Sequence, residues 1–351
     1  MVAGIFLLVL TFWDLFETIV VPRPTPGWFR IGRYVVRSSW RVVRTIRDGR
    51  NGRPNDRLLG LFAPAATVGL LITWLFALIV GYGLIMWSLR EELRPVPADI
   101  GTALYFAATS LLTIGFGDVV AVAAPARIVI ITAAVGGLGV VALVVTFLFS
   151  LYASYQRREV QVVALQAAAG APPSAVALLE TYAALDLIGR LPDQFLEWQR
   201  WAVEVLDSHV AFPLLNFFRS SHDNLSWIGA LGTALDAASL VLTTVEGVPR
   251  GEAKLFKRVG AHLVEDIYNL GFQLGAATSL DRSAFDAACD RLREAGYTIS
   301  PRDAAWPAFE AARGTYAPRL EAMARYLATP GASWLGDPVV LRQPLHPTDD
   351  P

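Results

Sequence analysis

Cysteine is nearly absent: the 351 residues hold one, Cys289. A lone thiol excludes an intrachain disulfide framework and a cysteine-built metal site. Charge is sparse as well. Asp, Glu, Lys and Arg make up 17% of the chain against 54% hydrophobic residues, with a mean hydropathy of +0.43. That balance is too apolar for an ordinary soluble protein and too mixed for a pure membrane bundle, so it implies a membrane part joined to a globular part. The start of the chain has no basic region and no small-residue cleavage site, which argues against a signal peptide. No nucleophile–base constellation, phosphate-binding glycine loop or metal motif is found, so the chain is expected not to be an enzyme and to need no cofactor.

The charges that are present divide unevenly. Residues 1–155 carry 13 arginines and 8 acids, whereas residues 156–351 carry 17 bases and 23 acids. The basic excess is confined to one linker, which points to a membrane surface with anionic lipid rather than to nucleic acid. Residues 1–22 read as a transmembrane helix, because Met1 to Val21 is apolar enough to span and would be about 31 Å long. Asp14 and Glu17 lie three apart on one face of it. They are candidates for an intramembrane charge pair with the linker arginines, or for a proton or cation sensor.

Residues 23–57 hold ten arginines and two aspartates. Arg30, Arg33, Arg37, Arg41, Arg44 and Arg47 recur every three or four residues with apolar residues between them, which makes one basic stripe on a helix. This pattern predicts an interfacial helix on the cytoplasmic side, with a reduced voltage sensor as the other reading. A second span follows over Leu58–Ser88. Asp99 is placed to cap a short helix at roughly 100–112. A third span runs from Pro125 to Tyr155, with Gly136, Gly137 and Gly139 at its middle and Arg157-Arg158 at its exit.

Between the second and third spans lies Thr113-Ile114-Gly115-Phe116-Gly117-Asp118. By average residue usage such a match would arise by chance on the order of once in a few thousand chains. A cation stripped of water needs a shell of oxygens. A column of backbone carbonyls can supply it if successive residues alternate in conformation, and glycine takes the positive φ this requires without steric cost. Gly115 and Gly117 meet that need. Ile114 and Phe116 turn outward to pack the wall. Thr113 adds a hydroxyl at the base, and Asp118 braces the mouth.

The segment Tyr105 to Asp118 resembles the pore loop and signature sequence of tetrameric potassium channels. The likeness runs on through Arg127 to Gly137, where such channels often carry a glycine hinge, and covers roughly residues 58–155. It departs from the family at Phe116, where Tyr is commoner and a tethering hydroxyl is lost, at Leu112, often Thr, and at Ala121, often Pro. The resemblance implies an all-α membrane protein with an outer helix, pore helix, filter and inner helix. It implies K+ bound by the carbonyls of Thr113, Ile114, Gly115 and Phe116 as the permeant species. It also implies a gating hinge at Gly136 and Gly137, to be weighed equally against close packing of small residues. A ring of carbonyls needs several copies and the chain has one such loop, so a homotetramer in a bacterial inner membrane is expected. A weakly selective cation channel, or a membrane-tethered signalling scaffold that uses the pore for assembly, are the alternatives.

Residues 156–329 show apolar positions at helical spacing, with breaks at 170–173, 191–192, 247–249 and 300–301. They show no alternating strand pattern and no Gly-x-Gly-x-x-Gly. A nucleotide-binding gating domain is therefore not expected, and about six helices in a cytoplasmic regulatory domain are. Ser220 with Asp223 fits a helix-start capping box. The functional reading of the same stretch is a site for a small anionic ligand, or a pH sensor, built from His209, Arg219, His222 and Asp223. His262, Glu265 and Asp266 share a face that suits either a metal or solvent. Residues 330–351 read as an extended or disordered tail.

Overall fold

Helices account for nearly all the regular structure among the described residues, as the helical spacing of apolar positions leads one to expect. The computed structural model describes residues 1–21, 31–48, 56–222, 224–272 and 280–337. The chain forms two units, Met1–Ala153 and Ser154–Pro351.

In the first unit α1 (Val2–Leu15) continues as a π-helical turn over Phe16–Val20. Then come α2 (Ile31–Asp48) and α3 (Asp56–Ser88). A short α4 (Ile100–Leu111) follows, and then the long α5 (Ala124–Ala169). Val2–Val20, Leu59–Ser88 and Ala124–Ala169 are long and apolar enough to cross a membrane. The chain is thus an all-α membrane protein. A two-residue antiparallel pairing, β1 (Leu93–Arg94) with β2 (Val120–Ala121), ties the stretch before α4 to the stretch after it.

Both α1 and α2 run antiparallel to α3, one after the other. A Cβ at Gly4 would stand 2.6 Å from the Gly81 carbonyl oxygen, so these helices cross in near backbone contact. Ten residues on, Asp14 meets Trp74. Gly32, at the start of α2, lies against Leu70, and Trp40 packs edge-on to Phe62 with ring centroids 4.8 Å apart. The helix expected at the interface lies along the first half of α3. Its apolar face finds protein there: Trp40, Leu59 and Phe62 are all buried. The side chains of Arg23, Arg30, Arg33 and Arg47 lie outside the described residues.

The second unit takes the end of α5 into its core through Val162, Leu165 and Ala169. Seven further helices follow among the described residues: α6 (Ala175–Ala184), α7 (Leu191–Ala211), α8 (Trp227–Thr243), α9 (Gly251–Asn269), α10 (Arg282–Glu294), α11 (Arg302–Gly314) and α12 (Ala317–Leu327). Helix α8 is buried continuously from Trp227 to Val241. It is enclosed on every side, and its one charged residue, Asp236, pairs with Arg313 and accepts from the Tyr316 hydroxyl. Helices α6, α9, α11 and α12 pack around it, and α7 pairs with α9.

The break expected at 191–192 falls where α7 begins, and Pro192 suits its first turn, which needs no proline N–H. The helix start anticipated at Ser220 lies at Ser226, whose Oγ accepts from the Gly229 N–H at 2.8 Å. Asn224, at φ +60, cannot continue a helix, and this delays the start. Residues 330–337 are extended and docked. Ser333 N–H donates to the Pro173 carbonyl at 2.9 Å, and the Trp334 indole to Ala284 at 2.8 Å. Arg291 donates to the carbonyls of Leu335 and Gly336 while pairing with Glu180. Residues 338–351 lie outside the described residues.

Candidate ion-conduction site and a buried polar cluster

Helix α4 aims the site. Asp99 caps it, accepting from the Thr102 N–H at 2.8 Å, and it ends at Leu111. Past that end the N–H groups of Ile114 and Gly115 return to the Thr109 carbonyl at 2.8 and 3.2 Å. The base of the loop is so anchored to the helix that precedes it.

The backbone then alternates. Thr113, Gly115 and Gly117 have φ of +55, +57 and +81°, while Ile114 and Phe116 between them do not enter the positive region. Alternate left- and right-handed residues turn successive peptide planes so that neighbouring carbonyls face one way. Glycine is at ease there. Thr113, β-branched, is a conformational outlier of the kind that collects at functional sites. The sequence pointed to Gly115 and Gly117, and it held no local sign that Thr113 would join them.

Tyr105 braces the loop. Its ring lies parallel to Phe116, 3° between planes and 6.4 Å between centroids, and its hydroxyl end faces the Asp118 carboxylate. A tyrosine on α4 thus stands beside the loop, although residue 116 lacks a hydroxyl. Glu92 makes a second link that sequence reasoning missed. Its carboxylate accepts from the Ala126 N–H at 3.1 Å, in the first turn of α5, where orphan N–H groups attract negative charge.

Gly137 sits where α5 meets the end of α4, and a Cβ there would stand 1.9 Å from the Leu111 carbonyl oxygen. Close packing at this glycine is a geometric necessity. At Gly136 a Cβ would stand 3.2 Å from Phe12 Cζ and 3.3 Å from the Tyr82 hydroxyl. Asp14 and Glu17 are both buried, and Asp14 Oδ2 accepts from Trp74 Nε1 at 2.7 Å.

In the second unit three of the residues expected to form a ligand or pH site, His209, Arg219 and His222, are described. Arg158 is the centre of what is found there. Its guanidinium, almost wholly buried, pairs with Glu159 at 2.9 Å. It also donates to the carbonyls of Leu215 and Phe218 at 3.0 and 2.9 Å. His209 Nε2 lies 3.2 Å from Arg158, while its Nδ1 lies 2.9 Å from the Val205 carbonyl. That pairing assigns the proton to Nδ1 and leaves Nε2 to accept. Burial, and next the Arg158 charge, hold the imidazole well below 6.5. His209 therefore stays neutral near pH 7 and serves Arg158 as an acceptor. Arg219 is nearby, donating to the Ala328 carbonyl at 2.7 Å, with its own carbonyl accepting from Tyr155. His222 is exposed beside Ser221, and Asp223 lies outside the described residues. Arg158 shares a helix stripe with Val162, Leu165 and Ala169, a periodicity that would have marked it as inward-facing. His262 and Asp266 approach to 3.6 Å, but the described residues contain no group of three metal-ligating side chains.

The fold and loop geometry define a membrane protein with an ion channel module. Residues 69–154 match the family model described as ion channel. No curated protein matches the chain, and no solved structure does.

Proposed function

We propose that the protein is a potassium-selective channel of the cell membrane, conducting passively through a filter of the carbonyls of Thr113, Ile114, Gly115 and Phe116. The observation that carries this reading is the alternation of φ sign from Thr113 to Gly117. A single strand of such carbonyls gives an ion one wall, and a ring of four gives it a full shell.

The working form in this reading is a homotetramer with cyclic symmetry. Two exposures support it. Residues 112–118 are all exposed in the single chain. The row Ile128, Ile131, Val135, Leu138, Val145 and Phe149 leaves one apolar stripe of α5 open, at the spacing of a helix-packing face. Inner-helix motion gates the pore, and the helical second unit, on the cytoplasmic side, biases it.

The test is current through purified protein in a planar bilayer, with potassium on one side and sodium on the other. A reversal potential near the potassium limit, lost in Gly115→Asp, is the expected result. A reversal potential little moved from zero would replace this reading with a weakly selective channel. Cross-linked tetramers without current under any condition would replace it with a scaffold.

A further inference from the structure

We propose that Tyr82 is a latch on the inner helix: a positioning residue that ties α3 to α5 one turn before Gly136, with Phe12 of α1 seated over the same turn. The proposal rests on the channel reading above and extends it to what controls the gate.

The geometry is specific. Tyr82 is buried among Leu15, Trp74, Leu78, Leu111 and Ala133. Its hydroxyl donates to the Thr132 carbonyl at 3.2 Å. In an α-helix that carbonyl is the acceptor for the N–H four residues on, which here belongs to Gly136. A carbonyl oxygen has two lone pairs, so the hydroxyl and the Gly136 N–H share it. A side chain entering the hydrogen-bond ladder in this way is one of the recognised causes of helix bending. The residue it acts on is a glycine, which resists bending least.

Phe12 completes the arrangement. At Gly136 its ring edge and the Tyr82 hydroxyl together occupy the space next to the missing side chain. Gly137, the next residue, is pressed against the Leu111 carbonyl at the end of the helix that anchors the filter. The turn from Thr132 to Gly137 is thus touched by α1, α3 and α4 at once. Bending α5 at Gly136 must stretch the Tyr82 bond or displace Phe12. The Asp14–Trp74 hydrogen bond fixes α1 on α3 only two residues beyond Phe12, so the seat of Phe12 is itself held. Helix α1 lies outside residues 69–154, the part that matches the ion channel family. In this proposal the added helix serves the gate.

Two measurements on the full-length protein test the latch. The first needs no current. In a Cys289→Ser background, spin labels are placed through Val68→Cys on α3 and Leu143→Cys on α5. Labelled chains are diluted with unlabelled ones, in lipid nanodiscs, so that distances within one chain are read. Tyr82→Phe keeps the ring and removes the hydroxyl, and it is expected to broaden or split the distance distribution. An unchanged distribution overturns the latch. The second measurement is single-channel recording. Tyr82→Phe is expected to shift the open-to-closed ratio about fivefold, the worth of one hydrogen bond, with the reversal potential unchanged. The shift should shrink in a Gly136→Ala background. A shift that persists undiminished there, or an unaltered ratio, overturns the link to this turn. A wild-type protein without current sinks the channel reading instead, and the distance measurement then decides the latch alone.

Discussion

The Leu111 carbonyl oxygen stands 1.9 Å from the point a Cβ would occupy at Gly137. The obstacle is backbone, so no change of rotamer relieves it. Gly137→Ala must push α5 away from the end of α4, and overpacking of this kind costs about 1–3 kcal/mol or more. Gly69→Ala is the matched control, since nothing lies within 4 Å of its Cβ position. It should be neutral, or stabilising by up to about 1 kcal/mol through helix propensity. Thermal unfolding of the full-length protein in detergent separates the two. A Gly137→Ala variant that melts like the parent would show that the helices do not approach so closely.

Tyr105→Phe removes the hydroxyl that faces the Asp118 carboxylate and keeps the ring against Phe116. Under the channel reading, selectivity should hold, because the carbonyl column and its glycines are untouched. The mouth loses a polar neighbour on α4, so current should decay faster during sustained opening. Reversal potential and decay rate are read from the same recordings. Unchanged decay would show that the hydroxyl does not brace the loop.

His209 makes the stability of the second unit depend on pH. Its imidazole is buried, and it faces the Arg158 guanidinium, with the Glu159 carboxylate on the far side of that arginine. Folded, it is held well below 6.5, whereas unfolded it titrates near 6.5. Below that value the unfolded chain binds a proton the folded chain refuses, so stability falls as pH drops from about 6.5 toward the folded value and is complete above it. Melting followed from about pH 8 down to about pH 5 should show this loss, and His209→Gln should flatten it. An equal slope in the variant would assign the pH dependence to other groups.

Trp74→Phe removes the indole N–H from Asp14 Oδ2. Leaving a buried polar group short of a partner costs about 1–3 kcal/mol. The loss should appear as a lower melting midpoint and as easier proteolysis of α1 in detergent. Trp74→Phe combined with Asp14→Leu, which leaves no acceptor, should cost less than the two single changes added together, since the two groups share one bond. Simple additivity would argue that the bond does not form.

Local features were readable in the sequence and long-range ones were not. The cap at Asp99, the end of α5 before Gly170 and the glycines at 115 and 117 each follow from what a few neighbouring residues can do. Thr113 escaped because its own branched side chain disfavours the conformation it takes, and only the fold around it imposes that. Arg158 escaped because an arginine leaving an apolar helix looks like a membrane boundary. Its partners Leu215 and Phe218 lie some sixty residues away. The contact of Trp40 in α2 with Phe62 in α3 joins residues that no local pattern pairs. Residues 330–337 dock through Trp334 and Leu335 against the core and through their backbone carbonyls, and both sets of partners are distant in sequence.

Helix α5 has 46 residues, about 69 Å at 1.5 Å per residue, and it passes through the boundary at Ala153 without interruption. This governs how the protein can be taken apart. A fragment begun after Ala169 would discard Val162, Leu165 and Arg158, and with them one wall of its own hydrophobic interior. A fragment begun at Ser154 keeps that wall, at the cost of a ragged helix end in water. Dissection of the two units therefore belongs upstream of Tyr155, and a protease that nicks α5 anywhere beyond that residue should unfold the second unit rather than release it.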